Sequence, residues 1–274
     1  MKFGDYEIKV VNDGTYEYTT KRQEEILKAF APKTSTLKNV KARLLLRANN
    51  LLVRTPQSEF VLFDSGFGDS NFLREGIKKI SEDNLVNNLK NIGVEPNQIS
   101  HVIQTHLHYD HAGGLAFKNE NSFSLAFPNA KIWFGEEEWR TIFESDETPF
   151  GYEKGKLEFV KENAEVEFSE GSVNLFEDFS VEVTRGHTFG HRVIFLKTQG
   201  QTLCYLGDIL PMSSHINLDS EMNYDIFKEE ARIKRKELLE RAFEENWFLV
   251  FYHSPRVVWG FLKKDGKGKF FLES

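Results

Sequence analysis

Thr105-His106-Leu107-His108-Tyr109-Asp110-His111-Ala112-Gly113-Gly114 places three imidazoles and a carboxylate within six residues. The run before it, Ile99-Ser100-His101-Val102-Ile103-Gln104, reads as a buried β-strand. On a helix His106 and His108 would face opposite sides, because only spacings of three and four share a face. On a strand His106, His108 and Asp110 share one side, and a turn after Asp110 would bring His111 back to it. A lone histidine is usually a surface residue or a satisfied core group. Four ligand-type residues in this order point instead to a divalent cation, for which imidazole and carboxylate are ordinary ligands. Gly113-Gly114 would let the backbone turn sharply with no Cβ in the way.

Working outward on the N-terminal side, Phe60-Val61-Leu62-Phe63 closes a hairpin with the strand that carries Leu44-Leu45-Leu46 and Leu51-Leu52-Val53-Arg54, through a turn at Thr55-Pro56-Gln57-Ser58. It ends in Asp64-Ser65-Gly66-Phe67-Gly68. Asp64 is either a turn residue or a carboxylate beside the metal site that orients a ligand histidine. Further back, residues 6–20 read as a strand with a turn at Asn12-Asp13-Gly14, and residues 24–30 as a short helical piece. Residues 69–80 read as a loop and short helix. A further helix, with an N-cap signal in Ser81-Glu82-Asp83-Asn84, runs to Gly93.

On the C-terminal side a strand is expected over 130–134, a helix over 135–144 and a loop over 145–160 that could serve as a lid or be a plain surface excursion. Short strands follow at 166–168, 173–176 and 179–183, a hairpin at 193–197 and 202–206, a helix over 226–245, a strand over 247–252 and a tail hairpin. Three more candidates sit at strand ends: His187, Asp208 and His253. Taken singly they are a turn histidine, a Gly-Asp turn and a surface histidine. Strand ends on one edge of packed sheets converge, however, so distant residues can share a site. The alternation of strands and helices favours two mixed sheets covered outside by helices.

The chain has 274 residues, enough for one domain spanning 1–274 with a sizeable core. A net charge of −7 speaks against a nucleic-acid surface and for a small-molecule substrate. The 25 Phe residues can furnish both a core and an apolar pocket. A single cysteine, Cys204, permits no intrachain disulfide, and no apolar leader or membrane-length run is present; a cytoplasmic protein that neither spans nor binds a membrane is the expectation.

The order His-x-His-x-Asp-His, followed downstream by His, Asp and His, resembles the metallo-β-lactamase-fold hydrolase superfamily, and the resemblance runs from Asp64 to His253. It implies an α/β fold, a four-layer αβ/βα sandwich of two mixed β-sheets flanked by helices. It further implies two divalent metal ions: His106, His108 and His187 on the first, Asp110, His111 and His253 on the second, and Asp208 bridging both. Asp64 matches the family's early strand-end Asp. A hydroxide shared by two dications would attack a carbonyl or phosphorus while Asp110 handles the proton. Zinc suits the donor set, with manganese, iron and cobalt as alternatives.

Asp208 where the antibiotic-cleaving members carry Cys, His108 where flavodiiron reductases carry Glu, and the acidic charge balance leave the lactonase branch, close to N-acyl-homoserine lactonases and organophosphate hydrolases. Some of those lactonases place a carbonyl-donating Tyr three residues after the bridging Asp. Here that residue is Pro211, leaving Tyr109 and His215 as candidate donors. Phe67, Phe189, Ile209, Leu210 and Met212 flank ligand residues and could wall an acyl pocket or belong to the core. His191 is expected to cap the turn after His187, and His101 to be structural. A lactone or ester hydrolase is the leading expectation, with a phosphotriesterase, phosphodiesterase or thiolester hydrolase as alternatives and a metal-binding partner module without catalysis as a different class. A homodimer is a further expectation.

Overall fold

The computed structural model describes residues 1–18, 44–70, 77–144, 151–219 and 221–273. The helical piece expected at 24–30 and the first part of the 145–160 loop lie outside these residues.

The described chain builds two large sheets. In the first, the strands run in the order Lys2–Phe3, Tyr6–Tyr18, Leu44–Arg54, Phe60–Phe63, Ile99–Ile103, Lys131–Gly135 and Glu165–Ser169, with Ile77–Lys79 paired to Tyr6–Tyr18. In the second, Val173–Phe176, Phe179–Val183, Arg192–Thr198, Gln201–Tyr205, Phe248–Val250, Trp259–Lys264 and Phe270–Glu273 follow one another. Both sheets are mixed, since each contains parallel and antiparallel neighbours.

The apolar strands explain the layering. Along Leu44–Arg54 and Phe60–Phe63 successive side chains point to opposite faces, so Leu51, Val53, Val61 and Phe63 meet the second sheet while Leu52 and Leu62 face outward. The outward face is covered by helix Leu85–Asn91 through Leu85 and Leu89, by Glu136–Glu144 through Trp139 and Ile142, and by Lys154–Asn163 through Leu157 and Val160. On the other sheet Val193, Phe195, Cys204 and Leu249 pack beneath Leu238, Leu239 and Ala242 of helix Lys228–Glu244. The result is the expected helix–sheet–sheet–helix sandwich, and continuously apolar strands are what burial on both faces demands. Between the sheets Phe63 meets Phe179 and Tyr205 edge-on, with centroids 6.0 and 5.6 Å away. The Phe-rich composition is therefore spent largely on the core.

Three local expectations are corrected. Asn12-Asp13-Gly14 is no turn: strand Tyr6–Tyr18 runs straight through it, with a register shift between Asn12 and Thr15. Two residues there oppose Ala48 alone, a β-bulge that swings Asp13 inward. Its buried carboxylate accepts from the backbone N–H of Phe67 at 2.7 Å, Gly68 at 3.1 Å and Leu85 at 2.7 Å. Ile77–Lys79, expected as loop or helix, is an edge strand, and Lys154–Asn163, expected within the 145–160 loop, is a helix.

Parallel pairing sets the edge where the candidates meet. Phe60–Phe63 runs parallel to Ile99–Ile103, so Asp64 and Gln104-Thr105 leave the sheet side by side. Gln201–Tyr205 runs parallel to Phe248–Val250, so Asp208 and His253 leave the other sheet together. The strand carrying the histidine motif stops at Ile103, so His106, His108 and Asp110 are not on it as expected. His106 and His108 lie in an extended loop, and Asp110 and His111 on a single helical turn, Tyr109–Ala112.

The glycines after that turn have a reason other than the one expected. Gly113 sits at φ −62°, ψ −30°, where any residue fits. What excludes a side chain is close approach: a Cβ on Gly113 would stand 2.4 Å from the Phe67 carbonyl oxygen, and one on Gly114 2.0 Å from that of Ser65. Both glycines press against the loop that follows Asp64, with Ser65 N–H donating to the His111 carbonyl at 2.7 Å.

Candidate metal centre

The side chains gathered at this edge form two groups able to hold a metal ion, His106–His108–His187 and Asp110–His111–Asp208–His253, with donor atoms in each group lying within 4.8 Å of one another. Every residue expected as a ligand is thus in one of the two. In the first group Nδ1 of His108 stands 3.0 Å from Nε2 of His106 and 3.1 Å from Nε2 of His187. In the second, Nε2 of His253 lies 3.3 Å from Oδ1 of Asp208 and 3.4 Å from Oδ2 of Asp110. Asp208 touches both groups: Oδ2 is 3.4 Å from Nε2 of His187, and Oδ1 is 3.3 Å from Nε2 of His111.

The outer nitrogen of four rings is held, which fixes which nitrogen faces inward. Nδ1 of His111 contacts Asp64 Oδ2 at 2.7 Å, and Nδ1 of His253 the Arg47 carbonyl at 2.9 Å. Nδ1 of His106 contacts Thr105 Oγ1 at 3.1 Å, and Nδ1 of His187 contacts Asp225 Oδ1 at 3.3 Å. Asp64, in a left-handed conformation at φ 55°, also accepts from the Thr105 N–H at 2.8 Å and from its hydroxyl at 2.9 Å. The carboxylate therefore stands behind His111, where a ligand-orienting group is needed.

These contacts test whether a cation fits. With Nδ1–H of His111 directed at Asp64, its Nε2 presents a lone pair toward Asp208 Oδ1. Both atoms are buried and, among the described residues, neither has a hydrogen-bond partner. Two facing lone pairs repel unless something positive lies between them. A cation supplies that charge; without one, only protonation does. Burial opposes charging His111, but the carboxylates of Asp208, Asp64 and Asp110 outweigh it and lift the ring well above the ordinary histidine range. His253 is lifted against burial to about 9, chiefly by Asp208 and then by Asp110. Burial, aided by the neighbouring rings, pushes His106 well below the ordinary range. His108 is lowered to about 3 by burial and then by His187. Burial works against charging Asp208 too, yet His253 and His111 hold it well below the usual carboxylate range. The donor set of imidazole and carboxylate suits zinc and its neighbours in the first transition row.

Some residues that fix this geometry carried little or no sequence signal. Glu138, at the start of its helix and 1% exposed, accepts from Gly190 N–H and the Tyr152 hydroxyl, both at 2.9 Å, and so ties two loops around the centre. Tyr252 packs against His111, tilted by 32° at 3.9 Å between centroids, and donates to the Asp110 carbonyl. His191, expected to cap the turn after His187, accepts from the Asp208 N–H at 2.9 Å through Nε2, while Nδ1 contacts Thr184 Oγ1 at 2.7 Å. It holds the backbone of the shared carboxylate. A histidine four residues after a ligand was the available signal, but its partner lies on another strand end.

The expected pocket residues divide. Phe67 is sealed between Tyr16, stacked at 3.7 Å, and Tyr109, edge-on at 5.6 Å. Leu210 and Ile209 pack in the core beneath helix Lys228–Glu244. All three are buried in the core clusters. Met212 and His215 are buried, and Phe189 is half-buried against Phe227. Tyr109 is buried with its N–H on the Gly151 carbonyl at 2.8 Å. His215 is lowered to about 4 by burial and then by Arg235, which leaves its ring neutral near pH 7. His101 stacks on Phe176 at 4.1 Å and receives the Trp133 indole N–H at 3.2 Å, far along the strand from the centre.

A two-sheet sandwich with this cluster at the strand ends defines a metallo-hydrolase. The model of the metallo-β-lactamase superfamily matches residues 44–253, and the chain belongs to that family. An N-acyl homoserine lactonase of Bacillus thuringiensis is 26% identical over 204 residues, covering 74% of this chain and 75% of that protein. One of a Bacillus species is 28% identical over 206 residues, covering 74% and 76%. A probable metal-dependent hydrolase from Staphylococcus aureus superposes with a TM-score of 0.80 at 22% identity, covering 100% of this chain and 99% of that one. AidC, a dizinc quorum-quenching lactonase solved with a product homoserine, superposes at 0.77 with 22% identity, covering 100% and 96%. Among the described residues no helix is long and apolar enough to cross a membrane.

Proposed function

We propose that the protein is a dinuclear metal-dependent hydrolase that opens a lactone ring, with N-acyl homoserine lactones as the first substrate class to test. The observation that carries this reading is the position of Asp208, whose two oxygens face the two donor groups separately. Two divalent cations held there would acidify a shared water and polarise a carbonyl oxygen. His106, His108 and His187 would hold one, Asp110, His111 and His253 the other, and Asp208 both.

The remaining work falls to the chain. Asp64 and the Arg47 carbonyl keep the proton of His111 and of His253 on Nδ1, so Nε2 stays a donor. Burial works against the charge of Asp110, but His111 and His253 outweigh it and hold its carboxylate below the usual range. It is therefore ionised at neutral pH and able to accept a proton at Oδ2 and return it to the leaving alkoxide. Pro211 has no side-chain donor, and its carbonyl accepts from the His253 N–H at 2.8 Å, so it fixes a ligand segment and cannot hydrogen-bond to the lactone carbonyl.

The similarity to lactonases of Bacillus supports the lactone over other esters. The test is a panel of homoserine lactones of graded chain length, a paraoxon-type triester and a thiolester, assayed after loading with zinc, manganese, iron or cobalt. Hydrolysis of the lactones with about two cations per chain is expected. Faster turnover of the triester or thiolester would move the substrate class, and one cation per chain at saturation would overturn the dinuclear reading.

A further inference from the structure

We propose that Asp225, clamped by Arg235, sets the tautomer of His187 and thereby governs cation binding by the His106–His108–His187 group. This rests on the reading above that the group holds a cation. Asp225 and Arg235 are both buried, and they form an ion pair 2.8 Å long between Oδ2 and Nη1. The other carboxylate oxygen, Oδ1, faces Nδ1 of His187 at 3.3 Å. The segment cannot drift from the histidine, because Ile226 N–H donates to the His187 carbonyl at 3.3 Å and Phe227 N–H to that of Gly186 at 2.8 Å. Gly186 presses on helix Lys228–Glu244, where a Cβ would stand 2.7 Å from Ala231.

An ionised carboxylate can only accept. Asp225 Oδ1, at 3.3 Å, draws the His187 proton to Nδ1 in competition with Asp208 Oδ2, which lies 3.4 Å from Nε2, and so leaves the Nε2 lone pair for the group it shares with His108. Arg235 makes this choice one-way. A guanidinium can only donate, so whatever stands at position 225 must turn an acceptor toward it. An Asn there would give its carbonyl to Arg235 and its NH2 to His187. The histidine would then accept at Nδ1, carry its proton on Nε2 and lose its donor atom.

That asymmetry supplies the experiment. In metal-free protein with isotopically labelled histidine, NMR of the His187 ring is expected to report Nδ1–H in the wild type and Nε2–H in Asp225→Asn. Cobalt titration of the same variant is expected to retain the second group's cation and to weaken the first by about 10–100-fold, the usual effect of losing a ligand's outer partner. Adding Arg235→Gln, which can offer an acceptor, lets the Asn amide turn round; recovery of Nδ1–H and of most of the cobalt affinity is expected. A purely structural pair would leave the double variant worse than either single one. Unchanged tautomer and affinity in Asp225→Asn, or no recovery in the double variant, would overturn the proposal while leaving wild-type metal uptake intact. A wild type that binds fewer than two cobalt ions would instead remove the dinuclear reading, and this inference with it.

Discussion

The two donor groups share Asp208 and sit side by side, yet they prepare for a cation in opposite ways. In the all-histidine group, His106–His108–His187, burial lowers His106 and His108. Behind it stands an ion pair, Asp225–Arg235, with no net charge. Asp110, His111, Asp208 and His253 form a charged group in which carboxylates lift the two rings above their ordinary range. Behind that group Asp64 is held by Thr105 and, among the described residues, has no arginine hydrogen-bonded to it. The lesson is that similar imidazoles are made ready by different physics: desolvation disfavours a proton on His106 and His108, whereas nearby carboxylates favour one on His111 and His253 that a cation must displace.

Removing the group common to both sides is the most severe way to break the comparison. Asp208→Ala is expected to empty both groups and lower lactone turnover by more than about a thousandfold, the scale of losing a charge-stabilising group at a reacting centre. Metal analysis by mass spectrometry beside the kinetics checks it, and near-stoichiometric metal in the variant would contradict the shared role. Asp64→Asn should act on one side only. It is expected to weaken the charged group by about 10–100-fold, with the all-histidine group unaffected.

Acid and base should separate the groups by sign. In metal-free protein, His253 at about 9 lies above its unfolded value near 6.5, so its contribution is fully present below 6.5 and lost as pH rises through 9. His108, lowered to about 3, does the reverse: below 6.5 the unfolded chain takes up a proton that the buried ring refuses, and acid destabilises the fold. Cation binding requires deprotonated rings and strengthens as pH rises. The melting-temperature gap between loaded and chelator-stripped protein is therefore expected to widen by roughly 5 °C or more from pH 6 to 9. A gap that narrows would contradict the raised ring. The smallest effect expected is at Gly151, where φ is +108° and a Cβ would stand 2.8 Å from His108 Cδ2. Gly151→Ala should weaken the all-histidine group about tenfold through backbone and contact strain, read by cobalt competition.

Much of this centre was legible in the chain. The six-residue cluster, the strand-end positions of His187, Asp208 and His253, and Asp64 after its hairpin all carried local signals: ligand chemistry beside an apolar run that stops. The layered sandwich followed from strands apolar on both faces. What failed was conformation judged by periodicity. Asp110 and His111 lie on a helical turn, Asp13-Gly14 is a bulge inside a strand, and Lys154–Asn163 is a helix where Gly, Tyr and Phe nearby suggested a loop.

By itself the sequence determined which side chains could bind a cation and that they would leave two sheets at one edge, because ligand type and strand ends are local properties. Only the tertiary structure decided which nitrogen of each ring faces inward, that His191 grips the Asp208 backbone, that Asp225 and Arg235 back His187, and that Phe67 and Leu210 belong to the core. Hydrogen bonds and burial at those positions join residues from separate elements. No spacing along the chain encodes a contact made only when two sheets and their loops have closed around it.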